Sequence, residues 1–180
     1  MVGNLPNILT LTRILLLPFF VVTLIYDQYR YALIIFIAAS VTDILDGFIA
    51  RVTGQITDFG KILDPVADKF FLVTSFILMS SIELIPKWLA IIVISKDLIV
   101  VTGSVILYLV THKLNIEPSL LGKASSACQF FLVGLVLLYS SLAKSISVPQ
   151  TLFSLVAAVT SLAGIHYVYK GLKMANNGNS

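Results

Sequence analysis

Charged residues are scarce in this chain. Lys, Arg, Asp and Glu make up 12% of its 180 residues and hydrophobic residues make up 58%, with a mean hydropathy of +0.98. Soluble domains carry roughly twice that fraction of charge. The composition therefore argues against an ordinary soluble protein and indicates a membrane protein, with the length of one domain.

Cysteine is almost absent as well. The single Cys128 excludes an internal disulfide framework, and we interpret it as a small apolar residue of a helix.

The net charge of +3 is small. It suits contact with anionic lipid headgroups, and we expect membrane lipids as partners and no nucleic acid.

Apolar segments dominate what is present, and six of them are long enough to cross a bilayer at about 20 residues each. Because lipid leaves no partner for open backbone groups, these segments must be helices. They cover residues 8–26, 31–50, 63–82, 86–110, 119–142 and 149–169. We predict an all-α integral membrane protein with six transmembrane helices enclosing a polar cavity that faces the cytoplasm. A single domain would cover residues 1–174, followed by a frayed polar tail at 175–180.

The distribution of Lys and Arg predicts the orientation, because cytoplasmic connections carry an excess of both. With the N-terminus in the cytoplasm, most of these residues lie in or beside cytoplasmic connections: Arg51, Lys61, Lys69, Lys113, Lys123, Lys170 and Lys173. Arg30, Lys87 and Lys144 face the other side. We therefore expect a multi-pass protein with its N-terminus in the cytoplasm.

Acidic residues are concentrated in one stretch, since five of the nine carboxylates lie between residues 43 and 68. Asp43 and Asp46 are three residues apart and Asp64 and Asp68 are four apart, so each pair shares one helix face. Ionisable groups in a membrane indicate a functional site. Clustered carboxylates repel unless a cation lies among them, and hard oxygen ligands suit Mg²⁺, Mn²⁺ or Ca²⁺. The spacing predicts a two-metal site that acts on a transferring phosphate.

Small and basic residues accompany these aspartates. Gly47 lets a ligand approach the backbone closely, although tight helix packing explains Gly47 and Ala50 equally well. Gly60 has the same freedom in the loop that follows. Arg51 offers a fork of donors suited to phosphate oxygens. Asp58 is interpreted as a solvated residue or a helix-start cap.

The whole pattern resembles the signature of the CDP-alcohol phosphatidyltransferase family, D-x2-D-G-x2-A-R-x8-G-x3-D-x3-D. Every fixed position is filled, in order by Asp43, Asp46, Gly47, Ala50, Arg51, Gly60, Asp64 and Asp68. The likeness in spans and orientation covers essentially the whole chain. The resemblance implies that the hydroxyl of an alcohol attacks the β-phosphorus of a CDP-linked lipid such as CDP-diacylglycerol and releases CMP.

The resemblance also implies roles for individual residues. Asp43, Asp46, Asp64 and Asp68 would hold two Mg²⁺ or Mn²⁺ ions, and Asp68 would be the general base. The CDP-lipid would be bound by residues before and within the signature: Asn7, Thr10, Gly47, Ala50, Arg51, Thr57 and Gly60. A homodimer in the inner (cytoplasmic) membrane, with its active site on the cytoplasmic side, is implied as well.

For the acceptor alcohol, the residues and the resemblance together favour glycerol 3-phosphate. Residues 4–13 and 58–69 look like family members that use glycerol 3-phosphate, whose phosphate needs cations, and the candidates are Arg13, Lys96 and Lys123. Residues 95–97 depart from the pattern of those members. Residues 84–97 look closer to members that use phosphatidylglycerol and form cardiolipin, and this alternative stays open. Lys96 and Asp97 could also simply neutralise each other inside the membrane, and Arg13 could extend to the headgroups.

Two other classes use carboxylates in membranes. Intramembrane prenyltransferases also act on diphosphates with Mg²⁺, but they favour two aspartate-rich motifs far apart in a longer chain. A cation transporter would place its acidic residues near the bilayer midplane, whereas those of this chain are predicted nearer the cytoplasmic surface. Both alternatives are less favoured than the transferase.

Overall fold

The computed structural model of the protein describes residues 5–53, 58–111, 120–142 and 148–177, with side chains described over 11–43, 68–103, 120–142 and 148–173. All regular structure within these ranges is α-helical. The six helices are α1 (Leu5–Ile25), α2 (Tyr29–Thr53), α3 (Asp58–Ser81), α4 (Lys87–Thr111), α5 (Leu120–Leu142) and α6 (Gln150–Asn177).

The six helices confirm the number and order of the predicted segments. α3 begins at Asp58, five residues before the predicted start at 63. The side chain of Asp58 lies outside the described residues, so its role as a solvated residue or a helix-start cap stays a prediction. α6 continues to Asn177, three residues into the predicted tail at 175–180, because Met174 and Ala175 are good helix formers. Residues 178–180 lie outside the described ranges.

Contacts divide the chain into two compact units. The first contains Met1–Leu84 and Val133–Val148, and the second contains Ile85–Leu132 and Pro149–Ser180. α5 therefore contributes residues to both units. The single domain predicted for residues 1–174 stays a prediction.

The first unit is built around α1, which packs against both α2 and α3. One phenylalanine from each helix meets in the core: the ring centroids of Phe20 and Phe71 are 5.0 Å apart, and Phe36 lies 6.3 Å from Phe20 and 6.0 Å from Phe71. Tilted aromatic pairs at these distances add to the stabilisation from burial. The aromatic cluster fixes α2 and α3 on α1, and hence the polar residues that these helices carry.

Two helices of the first unit end in the same way. Asp27 after α1 and Glu83 after α3 have positive φ angles, 55° and 63°. The amide after each donates back five residues, Gln28 to the Thr23 carbonyl at 2.8 Å and Leu84 to the Met79 carbonyl at 2.8 Å. This is the Schellman arrangement, in which glycine is the preferred residue at the left-handed position.

The second unit contains a close contact between α4 and α6. A Cβ atom on Gly164 of α6 would lie 3.2 Å from Cγ of Lys96, and one on Gly103 of α4 would lie 3.3 Å from Cε1 of Tyr167. In each of the two helices, a glycine therefore lies against a large side chain of the other helix. Small residues at such positions let membrane helices approach closely.

Two helices with described side chains are apolar and long enough to cross a membrane, Leu120–Leu142 and Gln150–Lys173, and α1 has a shorter apolar stretch at Leu11–Ile25. Exposed large apolar residues also occur on α1, α2 and α4, among them Phe19 at 64%, Ile34 at 61% and Ile91 at 64% exposed. Outward apolar side chains on a helical protein fit an association with lipid.

Candidate functional site

Three charged side chains from three helices meet in the first unit. Arg13 lies on α1, Asp43 on α2 and Asp68 on α3. Arg13 Nη2 donates to Asp43 Oδ1 at 2.9 Å, and Arg13 Nη1 donates to Asp68 Oδ1. Because one guanidinium contacts both carboxylates, the two aspartates most distant within the acidic motif are brought together.

Burial differs among the members of this charged cluster. The Arg13 side chain is 2% exposed, whereas the side chains of Asp43 and Asp68 are 35% and 30% exposed. A buried arginine is costly unless its charge is matched, and these two carboxylates match it. The carboxylates keep an accessible side, so they can also contact a ligand.

Several predicted site residues cannot be located by their side chains. Asp46, Gly47, Ala50 and Arg51 are on α2, but their side chains lie outside the described residues. The same holds for four further residues of the predicted site, namely Asn7, Thr10, Gly60 and Asp64, and Thr57 lies outside the described ranges altogether. Their roles stay predictions. Among the side chains that are described, no three His, Cys, Asp or Glu residues form a metal-binding group.

The other two cations predicted for the acceptor lie in the second unit. Lys96 is 8% exposed, and its Nζ contacts Oδ1 of the adjacent Asp97 at 2.9 Å. Its aliphatic stem packs on Gly164. Lys123 lies on the first turn of α5 and is exposed. Lys96 therefore forms the neutralising pair that the sequence left open as an alternative, and its role toward an acceptor stays a prediction.

A buried polar cluster of the second unit was not predicted. Ser125 and Gln129 on α5 and Thr160 on α6 are all 0% exposed. Gln129 Nε2 donates to Thr160 Oγ1 at 3.1 Å and to Ser125 Oγ at 3.2 Å, and Ser125 Oγ donates to Thr160 Oγ1 at 3.3 Å. Ser125 and Gln129 are four residues apart within an apolar helix, which was the available signal.

Comparison with known proteins gives a family match over most of the chain. The model of a family described as CDP-alcohol phosphatidyltransferase matches residues 3–163. These residues include the acidic motif, the charged cluster of Arg13, Asp43 and Asp68, and the buried polar cluster.

Individual relatives are similar over different lengths. A Bacillus subtilis (strain 168) protein named CDP-diacylglycerol–glycerol-3-phosphate 3-phosphatidyltransferase is 32% identical over 98% of this chain and 99% of its own. A protein of the same name from Aquifex aeolicus (strain VF5) is 30% identical over 95% of this chain and 97% of its own. A Drosophila melanogaster protein named probable cardiolipin synthase (CMP-forming) is 32% identical over 74% of this chain and 47% of its own.

Proposed function

Because this chain belongs to the CDP-alcohol phosphatidyltransferase family, we propose that it transfers the phosphatidyl group of CDP-diacylglycerol to a hydroxyl of glycerol 3-phosphate. The products are CMP and phosphatidylglycerol phosphate. The observation that carries this proposal is similarity over almost the entire length of two relatives named for the same reaction. The chain is thus a phosphatidyltransferase of phospholipid biosynthesis.

The reaction needs a group that accepts the proton of the attacking hydroxyl. The acceptor oxygen bonds to the β-phosphorus, the bond from that phosphorus to the CMP oxygen breaks, and CMP leaves with the electron pair. We assign the carboxylate of Asp68 as the group that accepts this proton. A general base must be positioned within hydrogen-bonding reach of the hydroxyl. The Arg13 contact supports this role, because it fixes the direction of a side chain that remains 30% exposed.

Two divalent ions, Mg²⁺ or Mn²⁺, are the proposed cofactors, with Asp43, Asp46, Asp64 and Asp68 as their ligands. The described part of this set fits them, because hard carboxylate oxygens from α2 and α3 meet at one positive group. When bound, such ions neutralise the charge of a transferring phosphate and its leaving group. Asp46 and Asp64 are assigned from the family signature.

Binding of the nucleotide part is assigned to the signature residues and the start of α1. Gly47, Ala50, Gly60, Arg51 and Thr57 would contact the cytidine diphosphate, with Asn7 and Thr10 covering it. Arg51 is suited to phosphate oxygens because its guanidinium presents several donors in one plane. Lys96 and Lys123 remain the proposed contacts for the acceptor phosphate, whereas Arg13 contacts Asp43 and Asp68.

Membrane placement follows the charge bias and the apolar helices. We propose six spans, with the N-terminus and a polar cavity on the cytoplasmic face of the inner membrane. Along α2, Asp43 lies ten residues before Thr53, about 15 Å from the helix end at 1.5 Å per residue. The lipid chains of CDP-diacylglycerol would then stay in the bilayer while its diphosphate reaches the site. The homodimer implied by the family belongs to the same proposal.

Phosphatidylglycerol is the second candidate acceptor, which would make the protein a CMP-forming cardiolipin synthase. The specific observation in its favour is 32% identity to the Drosophila relative, over 74% of this chain. The likeness is shorter than that to the two glycerol-3-phosphate relatives. A lipid acceptor would also require a second entrance from the bilayer, whereas glycerol 3-phosphate requires a basic pocket.

The test uses the purified full-length protein in detergent with Mg²⁺ or Mn²⁺ and CDP-diacylglycerol. Parallel reactions contain glycerol 3-phosphate or phosphatidylglycerol, and both CMP and the lipid product are measured. We expect CMP and phosphatidylglycerol phosphate with glycerol 3-phosphate. Product formed solely with phosphatidylglycerol would overturn the acceptor assignment and leave the family reaction standing.

A substitution then tests the proton acceptor. Asp68→Asn is expected to abolish turnover and to retain much of the binding of CMP, because it keeps the shape of the side chain and removes its basicity. Asp27→Asn is the matched control, since Asp27 is an exposed aspartate at the end of α1. Near-normal rates for Asp68→Asn would show that another group accepts the proton.

A further inference from the structure

The charged cluster of Arg13, Asp43 and Asp68 has its cation on the inside. Arg13 is 2% exposed, and each carboxylate that it contacts is about a third exposed, at 35% and 30%. A phosphate-binding arginine needs its donors directed toward the ligand. Here both terminal nitrogens of Arg13 are directed toward carboxylates of the same protein, with the carboxylates on the accessible side.

The contacts of Arg13 also offset part of the negative charge of Asp43 and Asp68. Two carboxylates at one place repel each other, and a cation between them removes most of that repulsion. One guanidinium neutralises half of the charge of Asp43 and Asp68, and it fixes the distance between α2 and α3 at this level. Divalent ions bound to the same carboxylates would supply the same positive charge from the accessible side.

We propose that Arg13 is the internal counter-cation of the carboxylate site, a positioning residue that holds Asp43 and Asp68 while no metal is bound. This inference rests on the proposed function, because it takes these two aspartates as metal ligands. It gives Arg13 a role different from the acceptor contact expected from the sequence. Arg13 competes electrostatically with divalent ions for the charge of the two carboxylates.

Thermodynamic linkage predicts the direction in which the affinity for Mn²⁺ changes when the charge of Arg13 is removed. Removal of the Arg13 charge leaves Asp43 and Asp68 to repel each other in the metal-free protein, whereas bound ions still neutralise them. The metal-free state is therefore raised in free energy more than the metal-bound state. We expect Arg13→Gln to bind Mn²⁺ about tenfold more tightly, which corresponds to ~1.4 kcal/mol. The stabilisation of the variant by Mn²⁺ should grow accordingly.

The experiment measures metal binding by the full chain in detergent, without nucleotide or lipid substrate. Free Mn²⁺ is followed by electron paramagnetic resonance during titration, and thermal unfolding is recorded with and without Mn²⁺. The variants are Arg13→Gln and Arg13→Lys, with Arg30→Gln as the matched control, because Arg30 is exposed on the first turn of α2. Asp43→Asn identifies the binding that depends on the site.

The expected result is tighter Mn²⁺ binding by Arg13→Gln, a lower unfolding temperature without metal and a larger increase with metal. Arg13→Lys should also bind Mn²⁺ more tightly than the original protein, by a smaller factor than Arg13→Gln, since an ammonium contacts two carboxylates less well than a guanidinium. Unchanged or weaker Mn²⁺ binding by either variant would refute the role of Arg13 as counter-cation. If Arg13→Gln does not fold, the lysine variant alone decides.

Failure of the proposed metal site has a different outcome. The original protein would then bind Mn²⁺ no better than Asp43→Asn does, and both the metal assignment and the counter-cation would be wrong. Site-dependent Mn²⁺ binding that is indifferent to Arg13 would leave the proposed function intact and refute the role of Arg13 alone.

Discussion

Arg13 Nη2 lies 2.9 Å from Asp43 Oδ1. This contact connects a buried residue of α1 to the acidic motif of α2. The same guanidinium contacts Asp68 of α3, so a residue outside the family signature connects its first and last aspartates. Because α1 packs on both partner helices, the geometry of the acidic site depends on the placement of α1. Stability and site geometry are therefore coupled through Arg13.

This coupling predicts a non-additive pair of substitutions. Arg13→Gln and Asp43→Asn should each destabilise the protein, and the double variant should be less destabilised than the sum by about 0.5–3 kcal/mol, the range for residues in direct contact. The measurement is reversible unfolding in mixed detergents for the four proteins of the cycle. Arg13→Gln combined with Asp27→Asn is the control and should be additive, because Asp27 lies 14 residues after Arg13 in the sequence, beyond the end of α1.

Most of the helical architecture could be predicted from the sequence, because length and hydropathy decide which segments are helices in lipid. Proline also marks two of the helix starts, because Pro86 and Pro149 directly precede α4 and α6, and their carbonyls accept hydrogen bonds from the amides of Leu89 and Leu152 at 3.0 Å. The early start of α3 was missed because residues 58–62 are not apolar enough to count as part of a span. Hydropathy locates the apolar part of a helix, and the helix itself extends beyond that part.

The partners of the polar residues were less predictable. Spacing places Asp43 on α2 and Asp68 on α3, but which cation meets them depends on how three helices pack, and the sequence suggested an acceptor role for Arg13. Gln129 and Thr160 are 31 residues apart, and no local pattern relates them. Tertiary pairing of single polar residues is specified by the packing of entire helix faces, which one sequence does not encode in a short motif.

Close packing of α4 on α6 predicts opposite effects at two glycines. Gly171→Ala should stabilise the protein by about 0.5–1 kcal/mol through helix propensity, because an added Cβ meets nothing within 4 Å. Gly164→Ala should instead destabilise by about 1 kcal/mol, since overpacking moves the Lys96 stem, whose Cγ lies 3.2 Å away. Unfolding in mixed detergents checks both. Equal stabilisation by the two substitutions would show that the Lys96 side chain moves away from residue 164 at little cost in free energy.

Hydrogen bonding within the buried polar cluster predicts that Thr160 matters more than Gln129. Thr160→Val removes the acceptor of two hydrogen bonds and should cost about 1 kcal/mol, within the range measured for polar contacts between membrane helices. Gln129→Met should cost less. It removes two donated bonds, but it also removes Gln129 Oε1, which is buried with no hydrogen-bond partner among the described residues. The unfolding free energies of the two variants decide, and a greater loss in Gln129→Met would contradict this account.

The left-handed backbone at Glu83 predicts a stabilising substitution. Its φ angle of 63° is costly for a residue with a Cβ atom and costs glycine little. Glu83→Gly should therefore raise the free energy of unfolding by about 0.5–1 kcal/mol. Glu83→Ala removes the same carboxylate and keeps the cost of the backbone, so it serves as the control. A similar gain in both variants would point to the charge of Glu83 and not to its backbone.

The contact between Tyr29 and Asp27 predicts a loss of stability at alkaline pH. Tyr29 lies outside the predicted spans, and its Oη donates to Asp27 Oδ1 at 2.6 Å. Burial, followed by this hydrogen bond and the charge of Asp27, raises the pKa of Tyr29 from 10.0 to about 12.

The sign follows from proton linkage. Below pH 10 both the folded and the unfolded chain keep the Tyr29 proton, so the contribution is fully present. Between pH 10 and about 12 the unfolded chain loses the proton first, and stability falls as pH rises. Tyr29→Phe should lack this component, and the difference in tyrosinate absorbance between the two proteins should titrate near the raised pKa. A difference that titrates at the ordinary pKa of tyrosine would show that the hydrogen bond to Asp27 does not hold the proton.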